Sequence, residues 1–226
     1  MSDRASSNLL VAPSLLSCDF ARIADEVRRA EDAGADWLHV DVMDGHFVPN
    51  LTIGPSVVKR IHAVARRPLD CHLMISHPLE YADRFAEAGA SVITFHVESE
   101  DDPGKVISKL RELGVRVGIT MNPDIALDRV VPFLDMVDMV LVMSVYAGFG
   151  GQKFLPEVLD KVRALRDEHG FDKDVEIDGG INAATASLAV RAGANVLVAG
   201  SFLFGAADMS AAMSSLRGAA NLQSTR

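Results

Sequence analysis

Glu31–Val40 reads EDAGADWLHV, Ala86–His96 reads AEAGASVITFH, and Val190–Gly200 reads VRAGANVLVAG. Each stretch is the end of a helix, a glycine turn and then a nearly continuous apolar run of strand length. The unit that repeats is helix followed by strand, and working outward from these three copies organises the rest of the chain. Strand-like runs fall near residues 10–15, 36–42, 69–75, 91–97, 115–121, 137–144, 174–178 and 195–199. Helical patterns lie between and after them, at 20–33, 55–64, 78–88, 103–113, 125–134, 156–169, 183–192 and 206–217. Proline at 55, 78, 103 and 156 stands near helix starts, and glycine at 34, 89, 114, 170 and 193 near helix ends. Strands such as VDMVLVM lack the polar alternation of a one-sided sheet, so both faces are covered. Eight such units predict an α/β fold, a single-domain (β/α)₈ TIM barrel spanning 1–226, with short flexible termini at 1–8 and 219–226. An open doubly wound sheet is the alternative, but no GxGxxG follows the first strand and the reactive residues are spread over several strand ends.

The chain has 226 residues, 49% of them hydrophobic, which is enough to bury one full core. Its formal net charge of −9 argues against a nucleic-acid or anionic-membrane surface, since those require clustered Lys and Arg. Only Cys18 and Cys71 are present, so neither a disulfide framework nor a thiolate zinc site is expected. The first apolar run, Leu9–Leu16, contains Pro13, is too short to span a membrane, and lacks the layout of a signal peptide. A cytoplasmic protein is expected.

Four residues at strand ends carry the chemistry. His39 and Asp41 lie in HVDVMDG, His72 in CHLM and Asp178 in VEIDGG. Alternate residues of a strand share a face, so His39 and Asp41 point the same way, about 6.5 Å apart. A barrel gathers such ends at one mouth. Two imidazoles and two carboxylates there suit one divalent cation, Zn²⁺ or Fe²⁺ first, with Mn²⁺ and Co²⁺ as alternatives. Carboxylates also move protons. His96 ends the fourth strand and is read as supporting the mouth, outside the metal set; Asp44, before Gly45, is read as a turn residue.

An acidic chain needs a local device to hold an anion, and the glycine clusters provide one. Gly148–Phe149–Gly150–Gly151, Gly179–Gly180 and Gly200–Ser201 follow strands six, seven and eight. Backbone N–H groups of late βα loops and a short helix start can bind phosphate without lysine. Met43, Met74 and Met143 stand near strand ends, Met43 and Met74 with the parity of Asp41 and His72. They are read as core or as a collar that excludes water. Ser14 can reach a substrate hydroxyl or bond locally to backbone.

Taken together, APSLLSCDF at 12–20, HVDVMDGHFVPN at 39–50, HLM at 72–74, GFGGQ at 148–152 and DGGI at 178–181 resemble the ribulose-phosphate 3-epimerase family, from about Leu10 to Phe204. The resemblance implies metal-dependent epimerisation at C3 of D-ribulose 5-phosphate to D-xylulose 5-phosphate, through a cis-enediolate, in the pentose phosphate pathway. It implies that His39, Asp41, His72 and Asp178 hold the metal and that Asp41 and Asp178 are the two acid/bases. Ser14 and His72 match substrate contacts, the glycine loops match the phosphate site, and Met43, Met74 and Met143 match the collar. The partner implied is a sugar phosphate, with neither nucleic acid nor membrane, in a homo-oligomer, a dimer or hexamer. One departure stands out: the family usually has proline before GFGG, where this chain has Ala147 after Tyr146. That change bears on substrate preference, so another ketose phosphate such as allulose 6-phosphate is the near rival. The lysine of the orotidine-phosphate decarboxylase pattern Asp-x-Lys is absent, since Val42 and Met43 follow Asp41. A non-catalytic barrel that binds metal and sugar phosphate is the rival of a different class.

Overall fold

The structure, a computed structural model, describes residues 9–221. The termini expected to be flexible lie outside the described residues, apart from 219–221, which continue the last helix. Eight strands form one sheet: β1 Leu10–Pro13, β2 Leu38–Met43, β3 Leu69–Met74, β4 Val92–His96, β5 Arg116–Met121, β6 Met139–Met143, β7 Asp174–Asp178 and β8 Val196–Ala199. All pairings are parallel, in the order β1-β8-β7-β6-β5-β4-β3-β2. A parallel bridge between Ser14 and His39 joins the two ends of that order and brings the sheet round into a barrel. The expected eight-stranded fold is present.

The helices are α1 Ile23–Asp32, α2 Pro55–His62, α3 Pro78–Glu87, α4 Pro103–Glu112, α5 Leu159–Asp167, α6 Ala183–Ala192, α7 Ser201–Phe204 and α8 Met209–Asn221. Their boundaries follow local chemistry. The carboxylate of Asp102 caps α4 by accepting the Lys105 N–H, and Asn182 with Thr185 forms a capping box at the start of α6. Gly193 ends α6 at φ +117°, a left-handed conformation that a side chain would strain. The helix expected at 125–134 does not form. Two 3₁₀ turns, Leu127–Arg129 and Val131–Met136, take its place. Pro132 lacks the N–H that a continuous α-helix needs there, and its ring would clash with the preceding turn. The starts expected at Phe20 and Pro156 are likewise 3₁₀ turns that lead into α1 and α5. The short helix α7, between β8 and α8, was not among the expected elements.

Strand pleating divides the buried residues into two populations. Outward-facing Val11, Leu38, Val40, Cys71, Ile93, Val117, Val140 and Ile177 pack under the helices with Phe85, Ile107 and Leu165. Inside the barrel, Ala12, Trp37, Val92, Met139, Val196 and Val198 form an apolar plug that runs from the beginnings of the strands up to Val198, the register partner of Asp178. The Arg116 guanidinium closes its lower end, 5.2 Å from the Trp37 ring centroid. Above the plug, the inward positions turn polar. Among the described residues, no helix is long and apolar enough to cross a membrane, and both cysteines are free.

Candidate metal centre and active site

Register places the polar side chains side by side. On β2 and β3, His39 pairs with Asp70, Asp41 with His72 and Met43 with Met74. His72 in turn lies beside Thr94, and Met143 beside Asp178. The result is a layered interior: Asp70 and Glu176 lowest, His39, Asp41, His72, His96 and Asp178 above, and methionines at the rim.

One donor atom from each of His39, Asp41, His72 and Asp178 lies within 4.8 Å of every other. The four residues singled out from the sequence are therefore brought together. His39 Nδ1 meets Asp70 Oδ2 at 2.6 Å; Nε2 stands 3.3 Å from Asp41 Oδ1, is buried, and has no hydrogen-bond partner. A proton on Nδ1 donated to Asp70 leaves the Nε2 lone pair aimed into the cluster. His72 Nδ1 also lies 3.3 Å from Asp41 Oδ1. Two imidazole nitrogens and two carboxylates around one point, with a buried lone pair left open, fit a divalent cation. A second group, His39, Asp70 and Glu176, is wholly buried and shares His39 through its other face. Neither Glu176 oxygen has a hydrogen-bond partner.

The electrostatics separate the two cluster aspartates. Burial would raise the Asp41 carboxyl, but His39 and then His72 hold it well below the usual carboxylate range. For Asp178, burial and then Asp41 push it up to about 7. Burial opposes the His39 imidazolium, yet Asp41 and then Asp70 hold it well above the usual value; for His72, burial prevails and lowers it. Burial and then Asp70 raise Glu176 well above the usual carboxylate range. Such a cluster without an ion keeps Asp41 ionised while Asp178 titrates near neutral pH, and a bound cation would pull Asp178 and His39 the other way.

Above the cluster opens a cavity of about 710 Å³, lined by Ser14, Asp41, Met43, Met74, Met143 and Asp178 at its floor. The loops 145–152, 179–182 and 200–202 form its wall, with Gly148, Phe149, Gly150, Gly151, Gly179, Gly180, Gly200 and Ser201 all facing it. His39 and His72 are fully buried beneath and do not line it, so His72 addresses the cluster rather than the open cavity. The Ser14 hydroxyl donates to Asp41 Oδ2 at 2.5 Å and accepts the Leu16 N–H at 3.3 Å, which combines a site contact with a local backbone bond. Met43 and Met74 pack with Val48, and Met143 with Leu141 and Val145, which makes the collar apolar.

Glycine is demanded where the loops meet. A Cβ on Gly180, at φ +63°, would lie 2.6 Å from the Phe154 nitrogen, and one on Gly200 would lie 2.5 Å from Ser17 Oγ. Among the described residues, the N–H groups of Gly180, Gly200 and Ser201 are donated to no protein acceptor. These free donors border the cavity. The Gly148 carbonyl accepts from Asn50 Nδ2 at 2.8 Å, while Gln152 Nε2 donates to the Tyr146 and Phe149 carbonyls, so the first loop is braced from both ends.

Several participants were not singled out from sequence. Asp70 and Glu176 obey the same parity that marked His72 and Asp178, so the period-two rule contains them. His96, placed outside the metal set, lies against His72 with Nε2 to Nε2 at 2.9 Å. Asp44 is the turn residue expected, accepting the His46, Phe47 and Ser76 N–H groups.

A sequence profile of the Ribulose-phosphate 3 epimerase family matches residues 10–204. The chain belongs to that family. Ribulose-phosphate 3-epimerase of Mycobacterium tuberculosis is 52% identical over 219 residues, covering 94% of this chain and 95% of its own. The enzyme of that name from Synechocystis sp. is 47% identical over 217 residues, 94% of each. Among solved structures, a 3-hexulose-6-phosphate synthase from Salmonella typhimurium superposes with a TM-score of 0.71 at 18% identity, covering 95% of this chain and 99% of that one. At that identity the likeness is one of fold.

Proposed function

We propose that this member of the ribulose-phosphate 3-epimerase family interconverts D-ribulose 5-phosphate and D-xylulose 5-phosphate by inverting C3. The observation that supports it most is the pair of carboxylates: Asp41 and Asp178 rise from β2 and β7 and meet at one cavity floor, where their surroundings shift them in opposite directions, Asp41 down and Asp178 up. Inversion needs one group to take the C3 proton from one face and another to return a proton to the opposite face. The ionised aspartate is the base and the protonated one the acid, and their roles exchange when the reaction runs backward. The step between is a cis-enediolate.

His39, Asp41, His72 and Asp178 would hold one divalent ion, Zn²⁺ or Fe²⁺ before Mn²⁺ or Co²⁺, whose Lewis acidity lowers the cost of removing a proton beside a carbonyl. Asp70 orients His39 and Ser14 orients Asp41, so each arrives preset. Met43, Met74 and Met143 exclude water from the reacting carbons. The free N–H groups of Gly180, Gly200 and Ser201, with the loop 148–151, take the phosphate. The enzyme works in the cytoplasm as a homo-oligomer, dimer or hexamer, on a small sugar phosphate.

Formation of D-xylulose 5-phosphate from D-ribulose 5-phosphate tests the reading, with kcat/KM set against that for allulose 6-phosphate. A preference for the pentulose is expected; a higher kcat/KM on the hexulose moves the assignment to that sugar, and binding without turnover rejects catalysis.

A further inference from the structure

His96 is wholly buried, and its ring lies nearly parallel to that of His72, with centroids 5.1 Å apart and an interplanar angle of 23°. The two Nε2 atoms are 2.9 Å apart, so one ring donates there and the other accepts. The outer nitrogens each face a carboxylate: His72 Nδ1 lies 3.3 Å from Asp41 Oδ1, and His96 Nδ1 lies 3.5 Å from Glu98 Oε1, a contact short of a formed hydrogen bond.

Counting protons decides what this chain does. Each neutral imidazole has one N–H and one lone pair, so two rings supply two N–H groups for three contacts. If His96 turns Nδ1–H to Glu98, its Nε2 accepts from His72 Nε2–H, and the His72 Nδ1 lone pair faces Asp41. That is the arrangement a cation completes. The reverse arrangement sets a lone pair of His96 against the Glu98 carboxylate and uses His72 Nδ1–H on Asp41, leaving no donor atom for an ion.

Glu98 is itself held in place. Its Oε1 accepts both the backbone and the side-chain N–H of Asn122, each at 2.9 Å. The Lys161 ammonium donates to the carbonyls of Asn122, Pro123 and Ile125 at 3.2, 2.8 and 2.6 Å, which fixes that turn.

We propose that His96, backed by Glu98, is a positioning residue that fixes the His72 tautomer so that Nδ1 is the atom offered to the metal. The proposal rests on the metal-site reading but not on the reaction assigned to it. Its test is therefore direct metal binding, followed by chelator competition with Zn²⁺ alone on the full chain, without substrate. His96→Phe keeps the ring between His72 and Phe47 and removes the acceptor; His96→Gln loses the ring and restores an acceptor oxygen. His96→Phe is expected to weaken Zn²⁺ binding about 10- to 100-fold, in the range of lost partners to ligating histidines, and His96→Gln to recover a substantial part. A purely packing role predicts the opposite order. ¹⁵N spectra of the Zn²⁺-loaded wild type should show His72 ligating through Nδ1 with a proton on Nε2. Ligation through Nε2, or His96→Phe within twofold of wild type, overturns the proposal. Should His96→Phe fail to fold, Glu98→Leu, which removes the acceptor for the His96 Nδ1–H, serves in its place: weaker Zn²⁺ binding supports the relay, and unchanged binding overturns it. Absent turnover with these binding results intact would instead count against the reaction.

Discussion

The two halves of the barrel interior are built on the same strands and spend them differently. In the lower half Ala12, Trp37, Val92, Met139, Val196 and Val198 close on one another, apolar and complete. In the upper half, inward positions on the same sheet carry His39, Asp41, Asp70, His72, His96, Glu176 and Asp178. There, buried atoms without partners accumulate: His39 Nε2, Asp70 Oδ1, His96 Nδ1 and both Glu176 oxygens. Unpaired buried polar groups each cost about 1–3 kcal/mol, so a fold optimised for stability alone would not gather them. The plug completes the apolar interior, and the upper layer holds like charges and open lone pairs that, on the proposed function, a cation and a substrate would complete.

The largest effect is expected at Asp178, in the polar upper half. Asp178→Asn should lower epimerisation by about 10²–10⁴-fold, the usual contribution of a positioned acid or base, with much less effect on ligand binding. Steady-state rates alongside calorimetric binding of the sugar phosphate separate the two effects, and near-normal turnover would remove the two-carboxylate scheme. Next is the plug. Met139→Ala should destabilise the fold by about 2–5 kcal/mol, through lost burial and the cavity left behind. Denaturant unfolding measures that loss. Activity per folded molecule should not change, because Met139 lines neither the cavity nor the cluster of ligand atoms.

A third test uses pH. Asp178 has its folded pKa raised above its unfolded value, so in metal-free protein it lowers stability progressively as pH rises from about 4 toward about 7, and the penalty is constant above. Asp178→Asn carries no such penalty. Its stability relative to wild type should therefore increase across that window, read from unfolding midpoints at a series of pH values with a chelator present. A flat difference would show that Asp41 and Asp178 are not opposed. The smallest effect is expected at the rim. Asn122 Oδ1 accepts the Ala147 N–H at 3.0 Å, tying the glycine loop to the turn behind Glu98. Proline at 147 has no N–H to give. Ala147→Pro should therefore raise KM about 2- to 10-fold, the equivalent of one hydrogen bond at ~0.5–1.5 kcal/mol, unless the stiffer loop offsets it. A fall in KM would mean that stiffness outweighs the bond.

Much of this was legible in the chain because a parallel strand covered on both faces leaves a continuous apolar run, and glycine and proline punctuate its neighbours. Helix 125–134 failed because a local break, Pro132, outweighed the spacing pattern around it. The four candidate metal residues could be read because they interrupt apolar strands at inward-facing positions, Asp178 at the very end of its strand. Asp70 and Glu176 follow the same parity but sit one pleat lower, inside runs that read as core. Glu98 and Asn122 lie just beyond strand ends and Lys161 on a helix, where no shared period links them. Only the closed barrel brings them behind His72.

On the proposed function, the upper layer moves the C3 proton only with a divalent ion in place. The most direct measurement follows deuterium entering C3 of D-ribulose 5-phosphate in D₂O, with protein stripped of metal and then reloaded. Exchange should cease on stripping and return with Zn²⁺ or Fe²⁺. Exchange that continues in protein shown by elemental analysis to be free of metal would contradict the account.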